Sequence, residues 1–151
     1  YYTTLTNCKT NDVAYPQLAS DLPSGALPAF SFVTPNLIDD MHDGTIADGD
    51  SWLSKNLPTI LNSSEYTSGS TVVMITWDEG EGGSSNNRAT NTTDVGCHVA
   101  TLVLSPSTLA GTQSATLFNH YSLLGSTEQL LGVPKLGQTA SANSMPSAFN
   151  L

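Results

Sequence analysis

At 151 residues the chain is long enough for one domain with a real core, since folding at this size buries roughly 70% of the unfolded surface. Lys9, Lys55, Arg88 and Lys135 oppose 13 acidic residues, and the resulting net charge of -9 repels nucleic acid and anionic membrane surfaces, which excludes both as general partners. No run reaches the ~18 apolar residues of a membrane span, and the low charged fraction of 11%, with abundant Ser, Thr, Asn and Gly, points to an extracellular protein.

The chain opens at Tyr1-Tyr2 without a Met or a visible signal peptide, as expected of a processed product or a fragment. Cys8 and Cys97 permit one disulfide, two free thiols, or pairing to another segment. Asn62 and Asn91 each begin a glycosylation sequon.

Tyr15, Leu18 and Leu22 have helical spacing and predict a short helix near 13 to 22, ended by Pro23 to Gly25. Leu27 to Val33 reads as a strand, stopped by Thr34, Pro35 and Asn36. The next stretch packs one His and three Asp into five residues: Asp39, Asp40, His42 and Asp43. In an open α/β sheet a cluster just past a strand end faces the ligand-binding edge. An Asx-rich loop that hydrogen-bonds itself is the plainer account. The functional reading is favoured for His42 and Asp43, whereas Asp39 and Asp40 read as capping or solvated residues.

Asp48, Asp50 and Ser51 offer N-caps for a helix whose apolar stripe is Trp52, Leu53, Leu57, Ile60 and Leu61. Pro58 should kink this helix or begin a second one. Strand 28–33, this helix and strand 71–77 would together form a right-handed crossover unit.

The stretch from Thr71 to Trp77 is mostly apolar without alternation, as in a strand buried on both faces, and it ends in Asp78, Glu79 and Gly80. Two carboxylates delivered to a sheet edge can hold a cation; a simple polar turn is the alternative. Residues 79 to 96 form a long polar loop, and no helical pattern separates strand 71–77 from the apolar run 98–104. Parallel neighbours need such a crossover, so strand 98–104 should run antiparallel and return His98 to the Asp78 edge. A parallel strand would leave His98 at the far edge in a structural role, and the sequence leaves both readings open. A last amphipathic helix is expected over about 120 to 131, ended by Gly132 and Pro134, with His120 at its N-terminus where the dipole favours anions. Residues 135 to 151 lack periodicity and read as a surface tail.

No Arg or Lys lies within these clusters, so a bound phosphate would be neutralised by a metal, by imidazolium and by helix N–H groups. Mixed carboxylate and imidazole ligands suit several divalent metals, and the identity stays open.

The same residues carry a family resemblance. Pro35-Asn-Leu-Ile-Asp-Asp-Met-His42-Asp43, Gly49-Asp-Ser-Trp-Leu with Leu57-Pro, Ile75-Thr-Trp-Asp78-Glu79-Gly80, and Asn119-His120-Tyr-Ser-Leu-Leu followed by Glu128-Gln-Leu-Leu-Gly132-Val-Pro stand in order along residues 27 to 136. They resemble the phosphoesterase family of bacterial acid phosphatases and non-specific phospholipases C. The resemblance implies an α/β fold: an alkaline-phosphatase-like α/β/α sandwich, its mostly parallel sheet carrying one antiparallel strand. It implies metal-dependent hydrolysis of phosphate esters, with Asp78 and Glu79 binding a divalent metal ion, His120 contacting the substrate phosphate, and His42 and Asp43 in catalysis. Members of that family are longer. Their Glu-Asn metal motif and hydroxyl nucleophile lie in an N-terminal part that has no counterpart here, so residues 1–151 are expected to form a single domain or the C-terminal half of one, partnered by an N-terminal segment. Several members also have a cysteine where Arg88 stands, which leaves the pairing of Cys97 open. The rival expectation is a non-catalytic fragment or binding module that keeps the fold and lacks the nucleophile.

Overall fold

The computed structural model describes residues 4–80 and 98–151. Arg88, Asn91, Cys97 and most of the 79–96 loop, with the expectations attached to them, lie outside the described residues. The chain divides into two compact units, Tyr1–Ser68 and Gly69–Leu151.

The first unit is helical. A single turn, α1 (Cys8–Asn11), precedes α2 (Pro16–Ser24), which buries Leu22. Pro16 stands at the start of α2, where its missing N–H costs nothing. The predicted strand 28–33 is not a strand: residues 26–36 join no ladder among the described residues, and Phe30, Phe32 and Val33 are exposed. A short apolar run has strand propensity, but a ladder needs a partner, and Pro28 contributes no donor to one.

Helix α3 (Ile46–Leu61) starts earlier than expected, because its cap is Thr45 rather than Asp48, Asp50 or Ser51. Thr45 and Asp48 form a reciprocal capping box: the Thr45 hydroxyl accepts from Asp48 N at 3.3 Å, and Asp48 Oδ2 accepts from Thr45 N at 2.8 Å. Pro58 neither ends α3 nor starts a second helix; the element runs through it. Trp52 stacks obliquely on Tyr15, ring centroids 5.3 Å apart, and burial pushes the Tyr15 phenol up from its ordinary value. The turn α4 (Ser64–Thr67) closes this unit, its first amides capped by Ser63.

The second unit is mixed α/β. Strand β1 (Val73–Thr76) has all four residues half-buried, consistent with cover on both faces. It pairs antiparallel with β2 (Thr101–Leu104), in a register that places Val73 opposite Leu104 and Thr76 opposite Thr101. The antiparallel direction predicted for the second strand is observed. The mostly parallel sheet is not: among the described residues the sheet has two strands, both antiparallel. The crossover unit likewise lacks its first strand.

Helix α5 (His120–Leu130) is capped by Asn119, whose side chain accepts from Ser122 N at 3.0 Å. It ends where Gly132, at φ +66°, lets Val133 N reach back to the Glu128 carbonyl at 3.0 Å. The face it buries is not the leucine stripe. Ser122, Gly125, Ser126 and Glu128 point inward, while Tyr121, Leu124 and Leu130 are exposed.

What covers that small polar face is the segment read as a surface tail. A 3-10 turn, Gly137–Ser141, packs along α5, and Met145, the residue before a final turn, α6 (Pro146–Phe149), bonds to it. Glu128 is 3% exposed and accepts from Leu136 N at 3.1 Å and from the Thr139 hydroxyl at 2.6 Å. The Ser126 hydroxyl accepts from Met145 N at 3.0 Å, and the Lys135 ammonium donates to the Gly125 carbonyl. A side chain at Gly125 would press on Thr139, 3.3 Å from an added Cβ, so glycine permits the close approach. The tail is ordered by polar groups rather than by an apolar pattern, which is why periodicity does not reveal it.

Candidate functional site

The residues that sequence reasoning singles out fall into two places, one in each unit. The first is the loop before α3. Asn36 organises it: its Oδ1 accepts from Ile38 N and Asp39 N, both at 3.0 Å, and its Nδ2 donates to Asp39 Oδ2 at 2.7 Å. Asp40 Oδ1 accepts from His42 N at 2.8 Å, and Asp43 N donates to the Leu37 carbonyl at 2.7 Å. Asp40 is therefore the capping group expected of it, whereas Asp39 caps no backbone amide among these bonds and instead holds the side chain of Asn36, the residue that does. His42 and Asp43 have exposed side chains at the tip of this self-bonded turn. Met41 takes φ +77°, a backbone state that costs a non-glycine residue energy. Gly44 is required: an added Cβ would fall onto the Ile38 carbonyl oxygen and lie 2.8 Å from its carbon.

Asp48, which closes the loop onto α3, is held below the usual carboxylate range, first by the hydrogen bond from the Thr45 backbone and then by that from its hydroxyl. Both bonds favour the ionised form.

The second place is the sheet edge past β1. Asp78 and Glu79 follow the strand after Trp77, and both side chains are exposed. The first residue of α5 comes to the same edge: His120 Nε2 lies 2.7 Å from the Asp78 carbonyl oxygen, across 42 positions of sequence. A carbonyl only accepts, so Nε2 carries the hydrogen, and the bond fixes the ring's tautomer. Nδ1 is left as the nitrogen with which His120 can meet a ligand, as acceptor when the ring is neutral and as donor when it is protonated. The structure thus brings His120 and Asp78 together, while His42 and Asp43 belong to the other unit.

Electrostatics at this edge are acidic. Lys135 is the one Lys or Arg among the described residues of this unit, and its ammonium is engaged by Gly125. Among the described residues no three His, Cys, Asp or Glu side chains gather closely enough to hold a metal ion. Asp78 and Glu79 nonetheless offer adjacent, solvent-facing oxygen donors of the kind hard divalent cations take. They fit such an ion as part of a ligand set, with other donors needed to complete it.

The comparison that decides the family is a match to the phosphoesterase family over residues 2–134. The chain belongs to the phosphoesterase family. It is similar to a phosphatidylinositol-3-phosphatase of Mycobacterium tuberculosis, at 38% identity over 116 residues, covering 77% of this chain and 34% of that protein. An acid phosphatase of Aspergillus niger is 32% identical over 121 residues, 78% of this chain and 26% of its own length. A phosphate-repressible acid phosphatase of Penicillium chrysogenum is 32% identical over 141 residues, 89% of this chain and 32% of its own. The chain therefore spans about a quarter to a third of the length of these phosphoesterase relatives. No solved structure matches it. Among the described residues no helix is long and apolar enough to cross a membrane.

Sequence reasoning assigned no role to Glu128, Ser126 or Thr139, although Glu128 stands inside the last motif. The available signal was the small-residue face of α5, with Ser122, Gly125 and Ser126 at helical spacing beside one acidic residue.

Proposed function

We propose that this chain is the metal- and phosphate-binding part of an extracellular phosphoesterase that hydrolyses phosphate esters. The observation that carries the reading is the family match over residues 2–134. The contact of His120 with Asp78, which joins two of the four motifs, supports it. In this reading the domain is an alkaline-phosphatase-like α/β/α sandwich, completed by an N-terminal segment that supplies the nucleophile and further metal ligands.

Asp78 and Glu79 hold a divalent cation, which when bound supplies Lewis-acid stabilisation of charge on the transferring phosphoryl group. His120 uses Nδ1 toward a phosphate oxygen, because Nε2 is committed to the Asp78 carbonyl. The helix N-terminus behind it favours the anion. His42 and Asp43 keep the catalytic role that the motif resemblance implies for them, proton transfer during attack of a hydroxyl on phosphorus. The relatives named above are all phosphatases, which favours monoesters over the diester chemistry of a phospholipase C; a lipid-borne phosphate and a soluble one both fit.

Turnover of a chromogenic phosphate ester by the purified chain, with and without chelator, tests this reading. Chelator-sensitive hydrolysis is expected. The second reading is a non-catalytic fragment or binding module, which fits the lack of a three-donor metal group among the described residues. Full folding without chelator-sensitive turnover would select it.

A further inference from the structure

The direction of β2 bears on a residue whose role the sequence leaves open. Antiparallel pairing puts the residues that lead into β2 at the edge where β1 ends. Thr76 and Thr101 are paired, and His98 precedes Thr101 by as many residues as Glu79 follows Thr76. The two chains still lie together at that end: the Thr76 hydroxyl is 2.9 Å from the Thr101 hydroxyl and 3.3 Å from the Ala100 carbonyl. His120 reaches the same edge from α5. By this register Asp78 and Glu79 leave β1, and His98 leads toward β2, at the same end of the sheet, where His120 meets the Asp78 carbonyl; all four side chains are exposed, and no three are close enough to share a metal ion.

We propose that His98 contacts the substrate at this edge, donating an imidazole N–H to an oxygen of the bound phosphate beside His120. The proposal rests on the reading above that the edge binds a phosphate ester. A phosphate here meets two carboxylates, and the Lys135 ammonium is engaged elsewhere. His120 offers one ring nitrogen, the other being held by the Asp78 carbonyl. A phosphate has several acceptor oxygens to satisfy, and His98 is the second imidazole that the strand direction delivers to them.

The chain has three histidines, so each ring signal can be assigned by single substitution. The test is an NMR titration of the full chain with inorganic phosphate, at constant pH and with magnesium present. The His98 and His120 ring signals are expected to move along one saturation curve with a common Kd. His98→Gln, read on the His120 signal, should weaken that Kd by roughly tenfold, the worth of one charge-assisted hydrogen bond. If His120 saturates while His98 stays still, the assignment of His98 is overturned and the phosphate-binding edge stands. An unchanged Kd in a folded His98→Gln variant has the same meaning. If neither ring responds, both the assignment and the phosphate-binding edge fall. Should the variant not fold, the unsubstituted chain alone decides.

Discussion

The His42 loop and the Asp78 edge look alike as sequence: each is a short run of acidic residues after an apolar stretch. Their construction differs. The loop is closed by bonds that span a few residues, from Asn36 to Asp39, Asp40 to His42, Asp43 to Leu37, and Thr45 to Asp48. The edge depends on residues 42 positions apart, His120 and Asp78, and on a strand pairing that turns the chain back on itself. Local density of polar residues is thus enough to build a self-satisfied turn. A site that must hold a ligand draws its donors from separate elements whose positions are set by packing.

The largest effect is expected at the edge: on the proposed role of Asp78 as a ligand, Asp78→Asn, which exchanges a carboxylate for a neutral amide oxygen, should lower divalent-metal affinity by at least the roughly 10–100-fold that losing an outer ligand partner costs. Metal content of the folded variant measures this, and unchanged content would remove Asp78 from the ligand set.

At the loop, Gly44→Ala should destabilise by about 2–3 kcal/mol, since the added methyl meets backbone that cannot swing aside. Urea unfolding, with amide exchange over residues 38–49, reports it; a cost below ~0.5 kcal/mol would mean the turn is not closed as described. Glu128→Ala sharpens the contrast from the tertiary side. It should cost about 2 kcal/mol, by removing the buried carboxylate that accepts from both the Thr139 hydroxyl and Leu136 N and leaving those two groups only the bonds within their own turn. Faster exchange should appear in α5 and residues 135–146, and not in the loop.

The smallest effect follows from Asp48. Its carboxyl is depressed in the folded chain and titrates near its ordinary 3.8 when unfolded, so on acidification the unfolded state takes up the proton first. The capping contribution is complete above the ordinary carboxylate range and fades as pH falls through it toward the lower folded value. Comparing urea midpoints of the parent chain and Asp48→Asn between about pH 6 and pH 3 should show the gap close in acid. A gap independent of pH would mean that the charge of Asp48 plays no part in the cap.

Sequence alone determined what depends on neighbours along the chain. The spacing of Tyr15, Leu18 and Leu22 gave α2, Asn119 and Gly132 bound α5, and the missing crossover between residues 77 and 98 predicted the antiparallel return of β2. Asp40 was legible as a cap because an Asx turn needs nothing from elsewhere. Tertiary structure decided the rest. Residues 28–33 have strand composition but no strand to pair with, and composition cannot supply a partner. The inward face of α5 is Ser122, Gly125, Ser126 and Glu128 because a polar segment lies against it, a choice the leucine spacing did not foretell. The tautomer of His120 is set by a carbonyl 42 positions away, since a ring nitrogen beside an acceptor must carry the proton.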